Sequence, residues 1–196
     1  MPYTYKIATI SIKGIASHVR LRMLEDYLRQ QDIDVVLLQE VTHTKITSFR
    51  RYNAYVNAGT ENRGTAILAK EGLSLTDITR LPPRRGIAVC YEAIRIIKIY
   101  APPGAEKRRE REAFYNTEVP TLLPSTPAEI FLAGDFKCVL CHADSMGQGK
   151  TVEHLKKQCE DLASMMHKIH PPQGQNTHTS PQPAHQDWTG YISRNT

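Results

Sequence analysis

Apolar residues along this chain come in short runs with two different periods. "YKIATISI" (5–12) and "IDVVLLQ" (33–39) are compact and rich in β-branched residues, while "VRLRMLEDYLRQQ" (19–31) between them sets Leu21, Met23, Leu24 and Leu28 at helical spacing. That order predicts a strand, helix, strand unit. Further strands are predicted at "RYNAYVNAG" (51–59), "GTAILAK" (64–70), "GIAVCYE" (86–92) and "IRIIKIYAP" (94–102), with loops at "GTENR" and "TRLPPRR". "EKRREREAFYNTEV" (106–119) reads as an amphipathic, highly charged helix stopped by Pro120 and Pro124, and "EIFLAGD" (129–135) as one more strand. A last helix is predicted over "KTVEHLKKQCEDLASMMHKI" (150–169), with Leu155, Cys159, Leu162 and Met166 on one stripe.

After Pro171 the text is rich in Pro, Gln, Thr and His and loses its period, so loop is predicted there with one strand around "WTGYI". The division is a main part, 1–170, and a loop-rich remainder, 171–196, of the same domain. A length of 196 residues suits one sizeable core. Single helices between strands, with consecutive strands in the middle, predict a mixed α/β sandwich. At 40% hydrophobic and 23% charged residues the composition is that of a folded globular protein. The net charge of +5 favours an anionic partner. No run approaches the ~18 apolar residues of a membrane helix. The opening "MPYTYKIATISIKG" lacks a cationic segment followed by an apolar one, so the expectation is a protein that is not secreted and is nuclear or cytoplasmic. Cys90, Cys138, Cys141 and Cys159 are then expected to be free thiols.

Three apolar runs end in a polar side chain: "VVLLQE" in Glu40, "IIKIYAP" in Tyr100 and "IFLAGD" in Asp135. An acid that merely opens a loop is the commoner reason for any one such position. Three together suggest a rim where acids converge to hold a metal.

The segments "YKIATISIKG", "DVVLLQE", "RGTAILAK", "IRIIKIYAPPG" and "IFLAGDFKCVLCHADS" resemble, in order and spacing, the endonuclease/exonuclease/phosphatase superfamily. They look most like the endonuclease domain of non-LTR (LINE-type) retrotransposons. The likeness runs from about Tyr5 to Ser145, and more loosely through "WTGYISRNT". It implies a four-layer α/β sandwich, two mixed sheets packed face to face with helices outside, in which the last strands are missing. It also implies a divalent-metal-dependent phosphodiesterase, a DNA endonuclease that nicks one strand with Mg²⁺ or Mn²⁺. On that resemblance Glu40 binds the metal, Tyr100 touches the scissile phosphate, and Asp135 shares the metal and positions or activates the attacking water. The partner implied is DNA, with no membrane, for a monomeric domain once fused to a reverse transcriptase. Arg84, Arg85, Arg108 and Arg109 are candidates for holding the flanking backbone, against the commoner role of a solvated charged face.

The chain departs from the family pattern at three places, with Ser11, Lys98 and Lys137 where asparagine is usual. At ~4 Å two like charges repel by about 1 kcal/mol in water and by several times that near a protein surface. Lys137 is therefore expected to weaken metal binding, or to neutralise Glu40 and Asp135 in the metal's place. The resemblance also calls for later "S-R-[IL]-D" and "S-D-H" motifs, which the text up to Thr196 lacks. His142, His154, His167, His170, His178 and His185 match no motif that would replace their histidine. Two readings stay open: an endonuclease impaired by truncation, Ser11 and Lys137, and a catalytically inactive remnant or DNA-binding module on the same scaffold. "CVLCH" fits a haem-attachment pattern without the export it needs, and "GQGKT" lacks the glycine and preceding strand of a phosphate-binding loop.

Overall fold

The computed structural model describes residues 5–14, 17–42, 49–59, 64–82, 84–125, 128–137 and 190–193. The apolar runs form β1 (Ile7–Ser11), β2 (Val35–Val41), β3 (Tyr52–Asn57), β4 (Gly64–Lys70), β6 (Gly86–Tyr91), β7 (Ile94–Tyr100) and β8 (Glu129–Asp135), with helix α1 (His18–Gln31) between the first two. Two more strands complete the set, β5 (Thr76–Arg80) and β9 (Gly190–Ser193). The first sheet has the order β1-β2-β4-β3 and the second β5-β6-β7-β8-β9. Each is mixed: β1 with β2 and β7 with β8 are parallel, and the other pairs are antiparallel.

Three apolar clusters separate the four layers. Val35, Leu37, Ile67, Ala69, Ile87, Val89, Ile96 and Ala133 fill the space between the sheets. Val36, Leu38, Ala66 and Leu68 point the other way, against Leu21 and Leu28 of α1. On the far side Ala88, Ile97, Ile99 and Leu132 meet Phe114, Tyr115, Val119 and Leu122. Consecutive residues of one strand thus go to different clusters, as a period of two requires, and strands covered on both faces read as continuous apolar runs. This is the expected α/β sandwich.

The sequence-based elements need correction in three places. "TRLPPRR" is not all loop, because Thr79 and Arg80 belong to β5. That strand lies at the edge of its sheet with Thr76, Asp77 and Ile78 exposed, so it carries no apolar signal. It is also bulged between Thr76 and Thr79, with Asp77 at φ 46° and paired to Arg95 at 2.7 Å. The charged helix is not one helix: a 3₁₀ turn (Ala105–Lys107), α2 (Arg108–Ala113), a π turn (Phe114–Glu118) and a 3₁₀ turn (Val119–Leu122) follow one another. Pro120 sits inside the last turn, near its start, where a missing N–H costs nothing. Met23, grouped with three leucines at helical spacing, is 65% exposed, and Leu21, Leu24 and Leu28 form the inward stripe without it. The predicted helix over 150–169, the loops of 171–187 and the "CVLCH" and "GQGKT" segments lie outside the described residues. The predicted strand around "WTGYI" is β9, paired antiparallel with β8 through Leu132 and Tyr191. Among the described residues no helix is long and apolar enough to cross a membrane.

Gly134 precedes the last residue of β8, and a Cβ there would lie 2.1 Å from the backbone oxygen of Ile99 on β7. Backbone cannot give way as a side-chain tip can. Gly134→Ala is expected to cost about 1–3 kcal/mol in a urea unfolding series by forcing β7 and β8 apart; a cost below ~0.5 kcal/mol would mean that the strands part freely.

Candidate active site

Ser11, Tyr100 and Asp135 are the last residues of β1, β7 and β8, and Glu40 is the last but one of β2. Strict alternation would turn Glu40 outward with Val36 and Leu38. A β-bulge prevents this: the register with β4 shifts between Gln39 and Val41, Glu40 takes φ 62°, and Val41 assumes the outward place beside Val36 and Leu38. The extra residue is re-aimed towards the second sheet, as bulges commonly do. Its backbone is held by Gly14, whose N–H donates to the Glu40 carbonyl at 2.9 Å, and by Ile12, which donates to Gln39 at 3.1 Å. Across the bulge stands Gly64, where a Cβ would meet the Val41 carbonyl at 2.0 Å.

The re-aimed carboxylate joins the two sheets. Ser11 Oγ donates to Glu40 Oε2 at 2.9 Å, and the Tyr100 hydroxyl donates to Glu40 Oε1 at 3.4 Å. Tyr100 is the register partner of Asp135 in the parallel β7–β8 pair, and Asp135 returns a carbonyl to the N–H of Ala101 at 2.9 Å. Burial first, then the negative charges of Glu40 and Asp135, push the Tyr100 phenol up to about 12, with Arg85 pulling the other way. The phenol therefore keeps its proton at neutral pH and acts as a donor.

Cations crowd the same tyrosine. Lys137, at φ 50°, sets its ammonium on Asp135 Oδ2 while its N–H donates to Oδ1 at 3.2 Å. The ammonium also stands 5.7 Å from the centre of the Tyr100 ring, and the Arg85 guanidinium 5.4 Å from it. Arg85 is buried and donates to the Tyr100 carbonyl at 3.5 Å, rather than lying on a solvated face. Arg84 and Arg109 are exposed and Arg108 half-buried, with no contact to either carboxylate. Glu40, by contrast, has no cation paired to it among the described residues, only two neutral hydroxyls. The six histidines considered as bases, with Cys138, Cys141 and Cys159, lie outside the described residues, and Cys90 is a free cysteine.

Lys98 is the feature that sequence alone did not reveal. It is completely buried on the inner face of β7, donating to Thr9 Oγ1 at 2.6 Å and to Gln39 Oε1 at 2.5 Å. Desolvation pushes its amine down to about 7, against the pull of Asp135. The one available signal was its phase, because Ile94, Ile96, Lys98 and Tyr100 share a face.

The sequence matches the family model for the Endonuclease/Exonuclease/phosphatase family over residues 12–191. The chain belongs to this family. Among solved structures, the endonuclease/exonuclease/phosphatase chain is similar to an AP endonuclease from Archaeoglobus fulgidus, at 17% identity and a TM-score of 0.65 over 96% of this chain and 85% of that one. It is similar to a 3′ phosphatase from Neisseria bound to product DNA hairpin, at 16% identity and TM-score 0.66 over 97% and 87%. A 3′-5′ exonuclease from Neisseria meningitidis follows at 14% identity and TM-score 0.61 over 95% and 86%. At these identities the likeness speaks for the fold. No curated protein sequence matches the chain.

Unfolding returns Lys98 to the ordinary lysine range near 10.5. Above about pH 7 the unfolded chain then binds a proton that the folded one has released, so stability rises with pH by at most about 1.4 kcal/mol per unit until near pH 10. Urea unfolding at about pH 7, 8 and 9 should show this rise, and Lys98→Met should flatten it; equal slopes would assign the linked proton to another group.

Proposed function

We propose that this chain is a divalent-cation-dependent phosphodiesterase that nicks DNA, with Glu40, Tyr100 and Asp135 as its working residues. The observation that carries the reading is the Tyr100 to Glu40 contact, made between two sheets, with Asp135 alongside on the neighbouring strand. Membership of the family supports phosphodiester chemistry, and the DNA hairpin of the Neisseria phosphatase supports DNA as the substrate class.

The donor set fits a hard cation only in part. Among the described residues no three His, Cys, Asp or Glu side chains cluster together. An ion of the Mg²⁺ type takes one or two carboxylates and fills its shell with water and phosphate oxygens. Glu40, with an uncompensated charge, fits that role; Asp135 joins it only when the Lys137 ammonium swings away. When bound, such an ion supplies charge stabilisation to the phosphoryl group as negative charge builds. Tyr100 donates its phenolic hydrogen to a non-bridging phosphate oxygen, and Ser11 keeps the Glu40 carboxylate turned inward. Asp135 accepts the proton of a water whose oxygen bonds to phosphorus, while the opposite P–O bond breaks and the departing oxygen takes a proton from solvent water.

The reading extends to the nicking domain of a LINE-type retrotransposon protein, with a reverse transcriptase as its natural companion. Its support is the order of the "LLQE", "IYAPPG" and "GDF" segments. A second reading, a DNA-binding module without catalysis, is favoured by one contact, the Lys137 ammonium seated on Asp135.

Supercoiled plasmid incubated with Mg²⁺ is expected to be nicked, and Asp135→Ala to slow nicking by ~10²–10⁴-fold. Lys137→Asn is expected to lower the Mg²⁺ concentration needed for half-maximal rate by about tenfold or more, since one unit charge at ~4 Å weighs about 1 kcal/mol in water and several times that near a protein surface. Nicking untouched by Asp135→Ala would remove the assignment, and plasmid binding without nicking in both the wild type and the Lys137→Asn variant would favour the second reading.

A further inference from the structure

Ser11 and Glu40 belong to one sheet, Tyr100 and Asp135 to the other, and apolar packing between sheets has no directional preference that would bring the two pairs into line. One layer beneath them the contacts are directional. Thr9 lies two residues before Ser11, Gln39 just before Glu40, Lys98 two before Tyr100, and Ala133, the register partner of Lys98, two before Asp135. From β7 the Lys98 amine crosses the gap to two neighbouring strands of the other sheet, bonding Thr9 on β1 and Gln39 on β2.

We propose that Lys98 is a positioning residue, whose two hydrogen bonds set the sheet-to-sheet register that carries the Glu40 carboxylate to the Tyr100 hydroxyl. A polar group buried this deeply loses heavily if a partner is withdrawn, so the sheets cannot slide past one another at this level without breaking both bonds. The two acceptors match the two N–H bonds of a neutral amine, the form that burial favours here. The strand ends continue the linkage upward. Gln39 carries both the side-chain oxygen that Lys98 grips and the carbonyl that receives Ile12 N–H, and the next residue, Glu40, receives Gly14 N–H. A methionine at 98 would fill the same space and leave the sheets packed but without this fixed offset. The inference deepens the phosphodiesterase reading and rests on it only for the cation measurement below.

Amide exchange at Ile12 and Gly14 and tyrosine-sensitised Tb³⁺ luminescence test the proposal together, with Tb³⁺ as the probe of the cation position. In Lys98→Met, exchange at Ile12 and Gly14 should quicken by about tenfold or more while amides in the middle of β4 and β6 keep their rates. Tb³⁺ affinity should fall about tenfold, and Lys98→Gln, which restores an amide donor, should recover part of both losses. If Lys98→Met does not fold, Thr9→Val, which deletes one acceptor and keeps the volume, gives the same comparison. Unchanged exchange at Ile12 and Gly14, uniform acceleration across the sheets, or tighter Tb³⁺ binding in the folded variant would each overturn the proposal. Wild-type protein that binds no Tb³⁺, with the local exchange pattern intact, would sink the metal reading and leave the Lys98 assignment standing.

Discussion

An inner strand of this protein has no face left for water. β2, β4, β6 and β7 are each covered on one side by the opposite sheet and on the other by helical segments, so a polar side chain within them must find all its partners in the protein. Those that exist are so provided: Lys98 has Thr9 and Gln39, and Arg95 has Asp77, Thr79 and the Leu122 carbonyl. A polar side chain without such partners is consequently left to where the layers stop. Glu40, Tyr100 and Asp135, the residues of the proposed site, lie at that boundary, at the ends of β2, β7 and β8.

Most of this was legible in the amino-acid text, for physical reasons that also explain the gaps. Doubly covered strands announce themselves as apolar runs, and their last residues mark the rim, so Glu40, Tyr100 and Asp135 could be picked out before any coordinates. An edge strand such as β5, with three exposed residues at its start, carries no such signal. Neither does a bulge: the phase of "VVLLQEV" turns Glu40 outward, and only the pairing with β4 shows the inserted residue. Lys98 stands out in the text only as a lysine where asparagine is usual, whereas the alternation of β7 already places it inside. The charged helix failed as a single element because its backbone hydrogen bonding changes type at Phe114 and again at Val119, while Phe114, Tyr115, Val119 and Leu122 keep the spacing of one helical face and so give no sign of the change in the text.

At the rim protein cations match the acids in number. Around Tyr100 stand Arg85 and Lys137 against Glu40 and Asp135, and one layer beneath lies the Lys98 amine, which burial pushes down to about 7. Such a balance already tempers the repulsion between the two carboxylates and suits an incoming phosphate. It also makes any added cation compete with groups tethered to the chain. Ser11 and Lys137 act on opposite sides of this balance, one steadying a carboxylate through a neutral hydroxyl and the other discharging its neighbour.

The bulged β5 has a consequence for the outer limits of the molecule. A flat, apolar margin offers its unused N–H and C=O groups as a template to any extended chain that passes. This margin is only five residues long, kinked at Asp77, and fastened by Arg95 to the strand two places inward. A visiting strand would find neither matching spacing nor an apolar face to cover. Irregularity that hid β5 from the text is thus a guard against self-association, at the border where a growing sheet would otherwise recruit its neighbours.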